Sequence, residues 1–258
     1  MKKLLVTLLA VVIAAATFAG CGSAQKTQET GSTILNKGTG APAETTTSKS
    51  STVKNGKIDY LVLVNKSHKL PDDWEKNVKL KKAKNRYGDS FKVEKKALSH
   101  FQDLQKELMD KEGIDIELDS VTRTVKEQSK LWEDWTKEKG IDYVKKYVAV
   151  PGFSEHHTGL AIDICLEKDG KRIDDNDDMI AEKETFKKIH KCLAKHGFIL
   201  RYLEGRDDIT GYSYEPWHFR YIDSPKIAKE IMDKDITLEE YLGQVTEKVA
   251  EEPQDKSE

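Results

Sequence analysis

Hydrophobic positions along the chain alternate between helical and strand spacing. In "VEKKALSHFQDLQKELMDKEG" the apolar residues Ala97, Leu98, Phe101, Leu104 and Leu108 recur at three- and four-residue intervals, which predicts a helix, and Gly113 stands where its C-cap belongs. "TVKEQSKLWEDWTKEKG" repeats the pattern with Val125, Leu131, Trp132 and Trp135 and again stops at a glycine, Gly140. "KETFKKIHKCLAKHG" predicts a third helix, and "SPKIAKEIMDKDITLEEYLG" one or two closing helices. Strand spacing shows in "IDIELDSVTR", in Leu160 to Leu166, in "FILRYL" and in "WHFRYI", with a further short apolar strand over Tyr60 to Val64. The two kinds of element mix without regular βαβ alternation. That order predicts an α+β fold, a single domain whose mainly antiparallel sheet is flanked by helices.

The ends of the chain read differently. Met1-Lys2-Lys3 precedes an apolar run from Leu4 to Phe18 that is too short for a membrane span of about 20 residues, and small residues lead to Cys21. Residues 1–20 are expected to be a signal peptide. Residues 21–57 hold no aromatic until the domain begins and only isolated Ile34, Leu35 and Val53, so they bury too little to offset their ordering entropy. They predict a flexible tether with a mean span of roughly 30–35 Å. The folded domain is expected over 58–244, and a polar tail over 245–258.

A formal charge of −2, from 43 basic and 45 acidic residues, leaves no electrostatic footprint for nucleic acid. Heptads are absent, so a monomer is expected. Cys165 and Cys192 lie in no CxxC pattern; pairing and two buried free thiols are equally compatible with the sequence. Neither cysteine has a base beside it in a motif, which argues against a thiol nucleophile.

Polar residues of unusual kind concentrate in three places: Ser120 to Gln128, Ser154 to Asp163 ("SEHHTGLAID"), and "YSYEPWH" from Tyr212 to His218. An aspartate inside an apolar run needs a cation or a strong donor, because burying it alone costs several kcal/mol. Zinc accepts imidazole and carboxylate, and catalytic sites use three protein ligands plus one open position. His156 or His157, with Asp163 and His218, would complete such a set, leaving Glu215 as a base. The plainer alternative makes Asp163 a turn cap and His218 a satisfied core histidine.

These segments resemble a known family. "SEHHTGLAID" looks like the S-x-H-x-x-G-x-A-x-D motif of the zinc D-alanyl-D-alanine carboxypeptidases related to the vancomycin-resistance D,D-carboxypeptidases, a family that also contains L,D-carboxypeptidases. "SVTRTVKEQ" and "HGFILRYLEGRDDITGYSYEPWHFRY" resemble its companion elements, and the likeness runs over about residues 60 to 242. The resemblance implies a Zn2+ cofactor held by His156, Asp163 and His218, with Glu215 as catalytic base and Arg123 as the cation for the oxyanion or for the substrate's terminal carboxylate. It implies that Gln128, Ser154 and Tyr202 line the substrate pocket, and that His157, on a variable position, lies on the surface. Thr122 and Thr124 depart from the family's usual tyrosine and serine.

The implied substrates are peptidoglycan stem peptides, with D,D-carboxypeptidase action as the first expectation. L,D-carboxypeptidase action on tetrapeptides is the alternative, and a non-catalytic wall-binding module the alternative of another class. "FAGC" resembles a lipobox, which implies lipidation at Cys21 and a membrane-anchored, extracytoplasmic location. Trp74, Trp132 and Trp135 are expected to be packing aromatics. The acidic run "DDNDDM" from Asp174 is expected to be a solvated hairpin, and His196 to favour its helix C-terminus for its dipole.

Overall fold

The computed structural model describes residues 53–54 and 57–245. The expected signal peptide, Cys21, nearly all of the tether and the tail beyond Val245 lie outside the described residues. The elements are β1 (Val53–Lys54), β2 (Lys57–Ile58), α1 (Trp74–Asn77), β3 (Leu80–Lys84), β4 (Ser90–Glu94), α2 (Lys95–Glu112), β5 (Asp115–Ser120), α3 (Val125–Lys139) and α4 (Ile141–Tyr147). They continue as β6 (Ala161–Lys168), β7 (Lys171–Ile173), α5 (Asn176–Ala181), α6 (Lys183–Leu193), β8 (Phe198–Leu200), α7 (Asp207–Thr210), β9 (His218–Tyr221), α8 (Pro225–Lys234) and α9 (Leu238–Leu242).

The central sheet runs β5-β6-β9-β8, with β7 also on β6, and every pairing between described strands is antiparallel. The α+β expectation is met. On β6, Ile162, Ile164 and Leu166 enter the main core, where they meet Phe101, Leu104 and Leu108 of α2 and Phe186 and Ile189 of α6. Strand alternation turns Asp163 to the opposite face. β8 divides likewise: Phe198 and Leu200 join the main core, while Ile199 packs with Ala228, Ile231 and Leu238 in a second cluster under α8 and α9.

Local chemistry sets the helix ends. Glu94 accepts from the backbone N–H groups of Lys96 and Ala97 at the start of α2, and Gly113 ends it at φ 62°. Thr124 and Glu127 form a capping box that starts α3 directly after Arg123.

Two expectations change. Tyr60 to Val64 forms no strand; instead the Arg220 guanidinium donates to the carbonyls of Tyr60 (2.9 Å) and Val62 (2.8 Å), replacing ladder bonds with side-chain donors. The run from Asp174 is no hairpin, because Asp175 accepts from the Asp177 N–H and caps α5, which then buries Met179. The lysine-rich hairpin of β3 and β4 has no counterpart in the hydrophobic pattern.

Candidate active site

The site forms at one end of the sheet, where the register fixes its members. Asp163 of β6 lies directly opposite His218, the first residue of β9, and Ser120 at the end of β5 pairs with Asp163 from the other side. Directly opposed residues share a face, so the two side chains meet. His156 arrives on a single 3-10 turn, Glu155–Thr158, whose start is capped by the Ser154 hydroxyl accepting from the His156 N–H at 3.3 Å. Gly159 closes the turn at φ 71°, and a Cβ there would lie 2.6 Å from Leu80 Cδ2 and 3.1 Å from Thr122 Oγ1. Only glycine suits both the conformation and the space.

His156 Nε2 lies 3.1 Å from Asp163 Oδ2, and His218 Nδ1 lies 2.8 Å from Asp163 Oδ1. One ligand atom from each residue falls within 4.8 Å of the others. Among the described residues no donor is aligned on the buried Asp163 Oδ1, although His218 Nδ1 lies close to it. The Nδ1 of His156 sits 2.5 Å from the Val121 carbonyl and must carry its proton there, which leaves Nε2 as a lone pair facing Asp163. Two imidazoles and a carboxylate aimed at one point, with an orphaned buried oxygen among them, fit a small divalent cation such as zinc. The plainer alternative, a turn cap and a satisfied core histidine, does not describe this geometry.

The same groups strongly perturb one another's ionisation. Burial lowers His156 to about 4, with Arg123 adding to the effect. For His218 burial works the other way from its neighbours, and Asp163 prevails, raising it to about 9. Burial opposes the ionisation of Asp163, yet the two histidines hold it well below the ordinary carboxylate range. Glu215 is pushed up to about 8 by burial, with Oε2 at 3.8 Å from His218 Nδ1. It is close to the triad without joining it, as a base requires.

Arg123, Ser154 and Tyr202 line the same cavity as the triad and Glu215. Arg123 Nε is buried without a partner among the described residues; burial disfavours its charge while Asp163 and Glu215 favour it, so an anion in the cavity would complete it. Tyr202 packs its ring on His218 with centroids 4.7 Å apart. Gln128 does not line the cavity: it is fully buried and donates to the Ala149 carbonyl at 2.8 Å, supporting a residue that does.

His157 is a correction. It is 6% exposed, with Nδ1–H donating to the Arg123 carbonyl (2.7 Å) and Nε2 accepting from the Gly152 N–H (3.0 Å). Both ring nitrogens are used to tie the Arg123 loop to the loop before Ser154, which a surface position would not allow. Trp135 packs against Tyr143 with centroids 5.6 Å apart and also lines the cavity, and Trp74 is a buried brace donating to the Thr158 carbonyl. His196 has Glu107 as partner at 2.7 Å, a more specific reason than the helix dipole. Cys165 and Cys192 are both free thiols, and Cys165 is buried.

Four residues escaped the motif reading. Glu155, Arg201 and Arg220 are fully buried and form ion pairs at 2.7 Å, and Tyr212 lines the cavity with a buried, unpartnered hydroxyl. Nothing in local spacing separates Glu155 from a surface acid. Its arginines lie more than forty residues away.

Residues 90–224 match the sequence profile of the VanY D-alanyl-D-alanine carboxypeptidase family, just over half of the chain. The chain belongs to this family. The bifunctional D-Ala-D-Ala dipeptidase and D-Ala-D-Ala carboxypeptidase VanXYC of Enterococcus gallinarum is 45% identical over 131 residues, 49% of this chain and 66% of that relative. The match thus spans a little under two thirds of its length. The crystal structure of a vancomycin-resistance D,D-pentapeptidase VanY variant with Zn(II) superposes with a TM-score of 0.59 at 29% identity, covering 71% of this chain and 98% of that one. The LD-carboxypeptidase LdcB superposes with a TM-score of 0.59 at 31% identity, over 75% of this chain and 93% of its own.

Proposed function

We propose that the chain is a zinc-dependent D,D-carboxypeptidase that removes the terminal D-alanine from peptidoglycan stem peptides. The observation that carries this reading is the convergence of His156 Nε2, Asp163 and His218 Nδ1 on one point, with Glu215 and Arg123 in the same cavity. Zinc held by those three residues supplies the positive charge that lowers the pKa of water toward about 7 and polarises a carbonyl.

The chain's own residues do the rest. Glu215 takes a proton from the attacking water and hands it to the leaving amine; a nearby divalent charge favours its ionised form and offsets the effect of burial. Arg123, with an unused Nε–H and the flanking acids Asp163 and Glu215, keeps its charge and meets either the tetrahedral oxyanion or the terminal carboxylate. Tyr202 and Ser154 shape the pocket wall around the peptide end. Glu215 also sets the chain apart from a non-catalytic module, which has no use for a buried base beside a metal triad.

A second reading within the same chemistry is L,D-carboxypeptidase action, favoured by the likeness to LdcB, whose superposition covers slightly more of this chain than that of the D,D-pentapeptidase. Mass spectrometry of pentapeptide and tetrapeptide stems, incubated with zinc-loaded protein with and without chelator, decides between them. Chelator-sensitive conversion of pentapeptide to tetrapeptide, stopping there, is expected. Trimming of tetrapeptide to tripeptide replaces the D,D assignment with the L,D one, and no cleavage of either refutes both. The lipobox-like "FAGC" supports an enzyme tethered to the outer face of a membrane through Cys21; release of Cys21→Ala into the medium is the expected result.

A further inference from the structure

Glu155 occupies the unassigned position inside S-x-H and stands between a metal-ligating histidine and two arginines. Its side chain is 0% exposed. A carboxylate so placed is costly unless fully paired. Oε1 accepts from Arg201 Nε and from Arg220 Nη1, both at 2.7 Å, and Oε2 faces His218 Nε2 at 3.2 Å. Two guanidiniums on one oxygen leave it a paired carboxylate. An ionised carboxylate only accepts hydrogen bonds. It therefore keeps a proton on His218 Nε2, so that Nδ1, 2.8 Å from Asp163 Oδ1, is the nitrogen that gives up its proton to a metal.

The other imidazole is fixed the opposite way, with the Val121 carbonyl holding the proton on Nδ1 and freeing Nε2. Each ligating nitrogen is thus selected by an acceptor behind its ring. The support for Glu155 continues outward: Arg201 makes a bidentate pair with Glu239 (2.8 and 2.6 Å), and Glu239 accepts from Asn65 Nδ2 at 2.9 Å. Asn65 and Glu239 lie outside the matched residues 90–224, as do Tyr60 and Val62, whose carbonyls hold Arg220.

We propose that Glu155, locked by Arg201 and Arg220, is a positioning residue that commits His218 to ligate through Nδ1, and that the flanks of the domain reach the metal site through it. The proposal rests on the zinc reading above. A purely structural ion cluster would satisfy the arginines without turning its second oxygen to His218.

Glu155→Gln separates the two. Its carboxamide oxygen still accepts from both arginines, but its NH2 group then faces His218 Nε2 and demands a lone pair there, driving the proton to Nδ1. Zinc affinity of the full-length variant, measured by competition with a chromophoric chelator, is expected to fall about 10- to 100-fold. An unchanged affinity in a folded variant overturns the proposal. Should the variant not fold, nitrogen-15 histidine spectra of the zinc-loaded parent chain decide. A metal-shifted Nδ1 and a slowly exchanging Nε2–H on His218 support the proposal; coordination through Nε2 refutes it. A parent chain that binds no zinc at all sinks the functional reading and this proposal together, an outcome distinct from intact binding that ignores Glu155.

Discussion

Two buried polar clusters touch each other through His218 and obey opposite rules. Around Glu155, Arg201, Arg220 and Glu239, the charges are enclosed and matched by short ion pairs, so the cluster is complete within the protein. Around His156, Asp163 and His218 three ligand atoms crowd one point, and among the described residues Asp163 Oδ1 has no aligned donor and Arg123 Nε nearby no acceptor. Buried groups left unpaired carry a desolvation cost of several kcal/mol, which a fold retains only where another species completes them. The satisfied cluster is scaffold; the unsatisfied one is the place for an ion and a substrate.

The largest effect expected from breaking this contrast is in the unsatisfied cluster. Asp163→Ala removes the carboxylate that both histidines face, and hydrolysis is expected to vanish with the bound metal, as metal analysis and stem-peptide turnover would show. Glu215→Gln, with the base gone and the triad intact, is expected to lower kcat by about 10²–10⁴ while metal content stays at the parent level. Arg123→Ala removes the unpaired guanidinium and should cost about 10²–10³ in kcat/KM. Parent-like turnover in that variant would mean that the orphaned Nε serves no anion.

Away from both clusters, effects should fall on stability alone. Leu104→Ala empties a fully buried position of α2, and a loss of about 2–5 kcal/mol in urea unfolding is expected with kcat unchanged in the protein that remains folded. The smallest effect concerns Glu107, whose carboxyl is held down to about 2, chiefly by hydrogen bonds from Lys111 and Lys195. Its folded pKa lies below the value of about 4.5 expected when unfolded, so its contribution is present above that value and is lost as pH falls toward 2. Glu107→Gln should flatten the urea midpoint between pH 5 and 2; an identical pH profile would show the pairs to be screened away.

Much of this was legible in the chain. Helix α2 follows from Leu104 and Leu108 at four-residue spacing with Gly113 beyond, and the ligand set from motif letters at His156, Asp163 and His218. Residues whose partners are distant were not. Arg220 replaces a strand's hydrogen bonds at Tyr60 and Val62 from 160 and 158 positions away, and no local pattern announces that. His157 reads as a surface residue beside its ligating neighbour because its partners, Arg123 and Gly152, are backbone groups with no sequence signature. The β3–β4 hairpin stayed hidden because the lysines of β3 break the alternation that marks a strand, and β4 offers only Phe91 and Val93.

The distinction between complete and incomplete clusters is tested most directly by the metal content of purified chains after dialysis against zinc. One zinc per parent chain, one per Glu215→Gln chain and none per Asp163→Ala chain are expected. Zinc retained by Asp163→Ala, or lost from Glu215→Gln, would contradict that distinction.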